Sequence, residues 1–185
     1  MADEFKLETE RLVLRDWQET DARLFFQNTN TPAVMRWLDG VMDEAKQQAM
    51  LGRIASCSAE NGFCFWIVER KHDGTILGFC GLKRADAPGS TVPGEIEAGW
   101  RLREDVWGQG YAKEAAIATL DVAFERFGAD RVVALTVPGN TASWGLMERL
   151  GMTRRMDLDY VDPRFAEPLN PAIVYSIDKV AWEPR

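Results

Sequence analysis

Arg131-Val-Val-Ala-Leu-Thr-Val137 is the segment that most restricts the architecture, because it is a nearly continuous apolar run between Gly128 and Pro138-Gly139. A strand with one wet face alternates apolar and polar residues. This one does not, so it belongs to a sheet covered on both faces. Helical cover is written on either side of it. Over residues 109–127, Ala112, Ala116, Leu120, Ala123 and Phe127 recur at intervals of three and four, which lays them along one helical face. Gly128 ends that helix, and Asn140 opens a shorter one that Gly151 closes.

The first half reads differently. Residues 11–15 alternate charged and apolar and predict a strand. Thr20 and Asp21 can cap a helix carrying Leu24, Phe25 and Phe26, Thr31-Pro32 begins a second, and residues 43–59 form a third with Ala45, Ala49, Met50 and Ile54 inward. Aromatic and β-branched runs at 63–69 and 76–82 flank Asp73-Gly74 as a hairpin, and 95–102 continues the meander after a loop at 84–94. Strands at 152–160 and 173–177 close the chain around a loop with Pro163, Pro168 and Pro171. The expected class is α/β of the α+β kind: a mixed, mostly antiparallel sheet of about seven strands with four to five helices. No linker or repeat divides it, so residues 1–185 read as a single domain with a core from about 9 to 180.

Apolar residues make up 46% of the 185 and charged residues 28%, an ordinary globular balance with enough length for a sizeable core. The formal net charge of -7 argues against non-specific nucleic-acid binding, which needs a basic surface. It is mildly compatible with a cationic or amine substrate, but a solvated acidic surface is the commoner explanation. No apolar run approaches the roughly 20 residues that span a membrane, and Met-Ala-Asp-Glu-Phe-Lys at the N-terminus is no signal peptide, so a cytoplasmic protein without a membrane partner is expected. Cys57, Cys64 and Cys80 have no metal-ligand spacing and fit small buried thiols, and no metal is expected.

Trp107-Gly-Gln-Gly-Tyr-Ala-Lys113 joins the strand at 95–102 to the helix at 109–127. Gly108, Gly110 and Ala112 keep side chains away, so the amides of about 108–113 can point outward together. A helix's first amides lack internal partners and its dipole favours negative charge, which makes this a place for phosphate. Two glycines are equally at home in a plain strand-to-helix turn. Lys113 adds charge near a phosphate or sits solvated in the first turn.

Four pieces in order resemble the GCN5-related N-acetyltransferase (GNAT) superfamily, and within it the branch of ribosomal-protein N-terminal acetyltransferases. They are Glu8-Thr-Glu-Arg-Leu-Val-Leu-Arg15, Glu97-Ala-Gly-Trp-Arg-Leu102, Trp107-Gly-Gln-Gly-Tyr-Ala-Lys-Glu-Ala115, and Asn140-Thr-Ala-Ser143 with Met147-Glu-Arg-Leu-Gly-Met152. The resemblance implies a GNAT fold whose central parallel strands, 95–102 and 131–137, splay to admit a thioester. It implies acetyl-CoA as co-substrate, its pyrophosphate on the amides of Gly108, Gln109, Gly110, Tyr111, Ala112 and Lys113. The pantetheine arm would pair with backbone at Trp100 and Leu102 like an added strand, and Asn140 and Ser143 would hydrogen-bond the arm or the thiolate. Two departures stand out. Trp107 occupies the place of the family's usual Arg or Gln. Met147 occupies the place where many members carry a tyrosine that reprotonates the thiolate.

Amide formation requires a neutral amine, so a proton must leave an ammonium of pKa about 8 to 10. Glu97, beside the expected thioester, is the leading carboxylate, as base or as the group that orients the amine. Glu95 lies on the same strand face, and either could instead be a rim charge. Ser143 is the leading hydroxyl for the leaving thiolate, with Tyr160 second. Asn140 is an N-cap in any case. His72 belongs to the hairpin turn. Trp17, Trp37 and Trp144 are candidates for the acceptor pocket. The expected activity is acetyl transfer from acetyl-CoA by direct attack of an amine, first of a protein or peptide N-terminus. The alternatives are a small amine such as an amino acid, polyamine or aminoglycoside, and a non-catalytic acyl-CoA-binding module. A homodimer is compatible with this reading.

Overall fold

The structure, a computed structural model, describes residues 4–182. Eight strands make one sheet: β1 (Lys6–Glu8), β2 (Leu12–Arg15), β3 (Phe65–Arg70), β4 (Thr75–Arg84), β5 (Ile96–Leu102), β6 (Arg131–Thr136), β7 (Thr153–Arg154) and β8 (Ile173–Asp178). They lie in the order β1-β2-β3-β4-β5-β6-β8-β7, and every neighbouring pair is antiparallel except β5 with β6. Among the described residues five α-helices cover it: α1 (Asp21–Thr29), α2 (Pro32–Met35), α3 (Glu44–Asn61), α4 (Tyr111–Glu125) and α5 (Thr141–Arg149). Among the described residues no helix is long and apolar enough to cross a membrane.

Val132, Val133 and Ala134 of β6 are fully buried, so this strand is covered on both faces as its apolar run requires. Val132 and Ala134 join Ala115, Ala116, Leu120 and Ala123 of α4 and Leu146 of α5 in the main core. On the opposite face Phe25, Phe26, Met50 and Ile54 of α1 and α3 pack on Ile67 and Phe79, and Val133 meets Tyr160 and Val174. Each buried Val, Leu, Ile or Phe contributes about 1.5–3 kcal/mol.

The start and stop signals are partly as expected. Thr31 accepts from Val34 N–H ahead of Pro32, and Asp43 accepts from Lys46 N–H at 2.8 Å. Gly62 ends α3 with φ 73°. Thr20 makes no capping bond. Asp21 is buried instead, where it accepts from the Arg15 guanidinium at 2.7 Å and from Gln18 N–H at 2.6 Å. β1 has no periodic signal in three residues and exists because Phe5 is buried and stacks on Trp66 with ring centroids 4.0 Å apart. The strand expected over 152–160 is a correction: only Thr153–Arg154 is strand. Arg154 turns back to bond Asp159, Arg155 bonds Asp157, and a short turn at Met156–Leu158 results, with Tyr160 rejoining through one bridge to Ala172.

Gly78 fixes how β4 crosses its neighbours. The β3–β4 register shifts between Val68 and Glu69, opposite Gly78, which has φ 149°. A Cβ at Gly78 would lie 2.0 Å from the Arg101 carbonyl oxygen of β5. Main chain cannot yield as a side chain would. Gly78→Ala is therefore expected to destabilise the chain by about 3 kcal/mol or more, from strain and overlap together, read by denaturant midpoint.

Candidate active site

β5 and β6 pair only at Ile96↔Val132 and Glu97↔Val133. Beyond that rung β5 runs on to Leu102 and β6 to Thr136, each still paired to its outer neighbour. The two strands therefore part. Along β5 the main-chain groups alternate sides. Glu95 C=O accepts from Ala85 N–H and Arg103 N–H donates to Leu77 C=O, so odd positions serve β4. Those of Ala98, Trp100 and Leu102 face the gap. An open edge of this kind takes an extended arm as an added strand. One of its groups is already used, because the Trp107 indole N–H donates to Leu102 C=O at 2.9 Å.

Where the gap meets α4, Gly108 and Gly110 have φ 74° and 82°, the left-handed region that favours glycine. Gly110 is the N-cap of α4 and offers no side chain to cap the amides of Tyr111, Ala112 and Lys113. Nothing lies within 4 Å of a Cβ built on Gly108. Uncapped amides with open space before them suit a pyrophosphate, so the residues present fit the group that the sequence implied. Only their backbone is on offer. The Tyr111 side chain is buried, with the Arg11 guanidinium 4.3 Å from its ring centroid, and Gln109 Nε2 is bonded to Asp105 C=O. Lys113 and Ala112 are half-buried.

The loop is held from across the sheet by a latch that the sequence did not announce. Glu114 Oε1 accepts from Thr9 Oγ1 at 2.6 Å and from Arg11 N–H at 2.7 Å, and Oε2 accepts from Arg11 Nε at 2.7 Å. Arg11 Nη1 then donates to Gln109 C=O at 3.0 Å. Burial would raise the Glu114 carboxyl, yet the hydrogen bonds from Thr9 and Arg11 outweigh it and hold it below the usual carboxylate range.

Glu97 stands on the last paired rung. Its side chain is 12% exposed, and Oε2 is buried with no hydrogen-bond partner. Lys83, opposite it on β4, brings Nζ to 3.3 Å of that oxygen, inside ion-pair range but outside hydrogen-bond geometry. Lys83 Nζ also bonds Asp86 at 2.6 Å. Burial pushes the Glu97 carboxyl above its ordinary value, and Lys83 opposes that only in part. Tyr160 is buried on the same face, its phenol raised by burial and by the Glu97 charge. Glu95 is committed elsewhere, to an ion pair with Arg131.

Across the gap, Asn140 occupies the N-cap position of α5, but its side chain makes no capping bond. The expected side-chain cap is thus corrected, and the amide is left available. Ser143 and Trp100 are half-buried, and Trp144 donates its indole N–H to Pro138 C=O at 3.1 Å. Trp37 sits on Gly139, where a Cβ would meet its ring at 2.4 Å, so α2 closes against this turn. Trp17 is tied to Phe65 C=O at 2.8 Å. Met147 is 1% exposed and wholly a core residue. The freed backbone of Trp100 and Leu102 thus lies on the β5 side of the gap, the 108–113 turn follows β5, Asn140 and Ser143 follow β6 at the start of α5, and Glu97 stands on the last paired rung. A depression of about 690 Å³ walled by Arg84, Glu95, Arg131 and Asp178 lies at the other ends of β5 and β6, and its charges are in part mutually paired.

The latch makes a pH-dependent prediction. A carboxyl depressed in the folded state adds stability that is full above its unfolded value and is lost as pH falls through the folded value. Glu114→Gln should therefore cost about 2 kcal/mol at pH 7, with the difference from wild type shrinking below about pH 4, as read by thermal melts across pH.

Comparison with known proteins agrees with this geometry. The model of the Acetyltransferase (GNAT) domain matches residues 11–153. The uncharacterized protein YkkB of Bacillus subtilis is 35% identical over 148 residues, which cover 80% of this chain and 84% of that protein. An uncharacterized N-acetyltransferase, p20 of Bacillus licheniformis, is 28% identical over 150 residues, covering 80% and 82%. A solved acetyltransferase from Agrobacterium tumefaciens superposes with a TM-score of 0.76 at 26% identity, covering 94% of each chain. The parted parallel pair, the glycine loop and these likenesses together identify the chain as a member of the GNAT acetyltransferase family, and so as an acyltransferase.

Proposed function

We propose that this chain is an acetyl-CoA-dependent N-acetyltransferase in which an acceptor amine attacks the thioester directly, without an acyl-enzyme. The observation that carries this reading is Glu97: a buried carboxylate, with an oxygen that makes no hydrogen bond, on the last rung before the strands part. Acetyl-CoA supplies the acetyl group as an activated thioester. The amides at 108–113 hold its pyrophosphate, and the free main-chain groups of Ala98, Trp100 and Leu102 line its arm. Asn140 and Ser143 hydrogen-bond the arm and the departing sulfur.

The acceptor approaches from the face of Glu97, under α1–α3. Burial lifts the Glu97 carboxyl toward the range of an effective base, while Lys83 favours its ionised form. Glu97 takes the proton that the amine must lose. A peptide N-terminal amine and a small primary amine present this same nucleophile. Two of the three cysteines are the buried thiols the sequence implied: Cys64 and Cys80 are enclosed, and burial raises the Cys80 thiol to about 12. Cys57 departs from that expectation, half-buried on α3 with its thiol lowered to about 7 beside Cys64, and it is not among the residues assigned to the gap. With Met147 in the core, the remaining hydroxyls for the thiolate are Ser143 and, farther off, Tyr160.

The test is acetyl transfer itself. Purified protein with acetyl-CoA and an amine panel should release CoA thiol and yield the N-acetyl product by mass spectrometry. Absence of transfer to every amine would overturn the reading. Glu97→Gln should lower kcat by about 100-fold or more and remove the acid limb of the pH profile. The same change removes a charge that burial penalises more than Lys83 offsets, and Lys83 keeps Asp86 as its partner, so the variant should melt no lower than wild type at pH 7. A full-rate variant with an unchanged profile would sink the base assignment.

A further inference from the structure

Arg101 is buried to 5% exposure on β5, and among the described residues no carboxylate pairs with it. Its Nη1 and Nη2 reach only the sulfurs of Met35 and Met50, at 3.1 and 3.2 Å, and its Nε has no partner. The guanidinium carbon lies 4.6 and 5.2 Å from the ring centroids of Phe25 and Phe79. Thioethers are weak acceptors, and ring faces replace only part of the hydration a guanidinium gives up. Burial alone lowers it to about 10, so it is still cationic at neutral pH. A buried charge lacking a counter-charge is costly, and an apolar residue of similar volume would suit the fold as well or better.

Its placement gives that cost a purpose. Side chains alternate along a strand, so Glu97, Gly99 and Arg101 share the acceptor face. Gly99 between them carries no side chain. The Phe65 ring fills that place, 2.9 Å from where a Cβ would stand, and keeps the anion and the cation apart. Four residues of strand span about 13 Å, of which the two side chains bridge part. A molecule lying over Phe65 would meet a carboxylate at one end and a guanidinium at the other. Met35 and Met50 are unbranched and adaptable, so they can yield the guanidinium to a better acceptor.

We propose that Arg101 binds a carboxylate of the acceptor, whose amine lies at Glu97. The acceptor is thus an amine bearing a carboxylate within one residue's reach, as in a free amino acid or an acidic first residue of a peptide. This rests on the N-acetyltransferase reading above, and it narrows the substrate class.

The experiment compares matched amines: glycine, β-alanine and γ-aminobutyrate against ethylamine, propylamine and butylamine, with peptides beginning in Asp or Glu against the same peptides beginning in Asn or Gln. The wild-type chain should favour the carboxylate-bearing partner on the order of 100-fold in kcat/KM. Arg101→Met should collapse that ratio to within a few-fold, and Arg101→Lys should keep part of it. The free and peptide arms tell the two sources apart. Equal use of both partners by wild type, or a preference that survives in Arg101→Met, would overturn the proposal and leave acetyl transfer standing. If no amine is acetylated, the activity reading falls. Calorimetric titration of the CoA-loaded protein with the same compounds then decides: carboxylate-dependent binding lost in Arg101→Met supports the assignment, and its absence in wild type ends it. The calorimetry on wild type needs no variant to fold.

Discussion

The parting of β5 from β6 after one pair of rungs is the constraint on which the other features depend. Main-chain groups away from water must find partners, and a parallel pair normally supplies them along its length. Here Ala98, Trp100 and Leu102 lose theirs at the centre of the sheet. The gap stays open because each strand is anchored on its outer side, β5 by a full antiparallel ladder to β4 and β6 by one to β8. Trp107 satisfies one freed carbonyl. The others form a built edge for an extended ligand.

Stability is given up at several points around this opening. Glu97 keeps a buried oxygen without a hydrogen bond, and Arg101 keeps a buried cation without an anion. Each costs folding free energy on the order of a few kcal/mol. Both lie on the strand that forms the gap and on the face away from α4. A core selected for stability alone would hold apolar residues there. The compensation is elsewhere, in the two-sided packing of β6 and in the Thr9, Arg11 and Glu114 network that ties β2 to the start of α4.

The elements legible in the sequence were those whose signal is local and repeated. The apolar run at 131–137, the stripe along α4 and the hairpin at Asp73-Gly74 each state their own period. The glycine loop was legible because positive φ restricts residue choice. What escaped has long sequence separation or a single residue to show for it. β1 depends on Phe5 meeting Trp66, and the latch joins Glu114 to residues about a hundred positions away. Nothing in the sequence singles out Lys83 or Arg101; register places one opposite Glu97 and the other beneath α2 and α3. The strand expected at 152–160 failed because two Arg–Asp pairs, each closing a short loop, outweighed its alternation.

Register then decides the division of labour across the sheet. On β5 the even positions turn side chains to the α4 core and main-chain groups to the gap, while Glu97, Gly99 and Arg101 turn side chains to α1–α3. One strand therefore offers backbone to the arm of one ligand and charged side chains to another. A slip of one residue would exchange the faces, burying Glu97 and Arg101 against α4 and presenting Ala98 and Trp100 to the acceptor. Gly78 and Gly81 guard against that slip. A Cβ on either would strike neighbouring main chain, Arg101 carbonyl oxygen at 2.0 Å or Cys64 carbonyl oxygen at 2.4 Å. Two glycines on β4, remote from the glycine loop, thus hold the alignment that places a carboxylate on the last rung before the strands part.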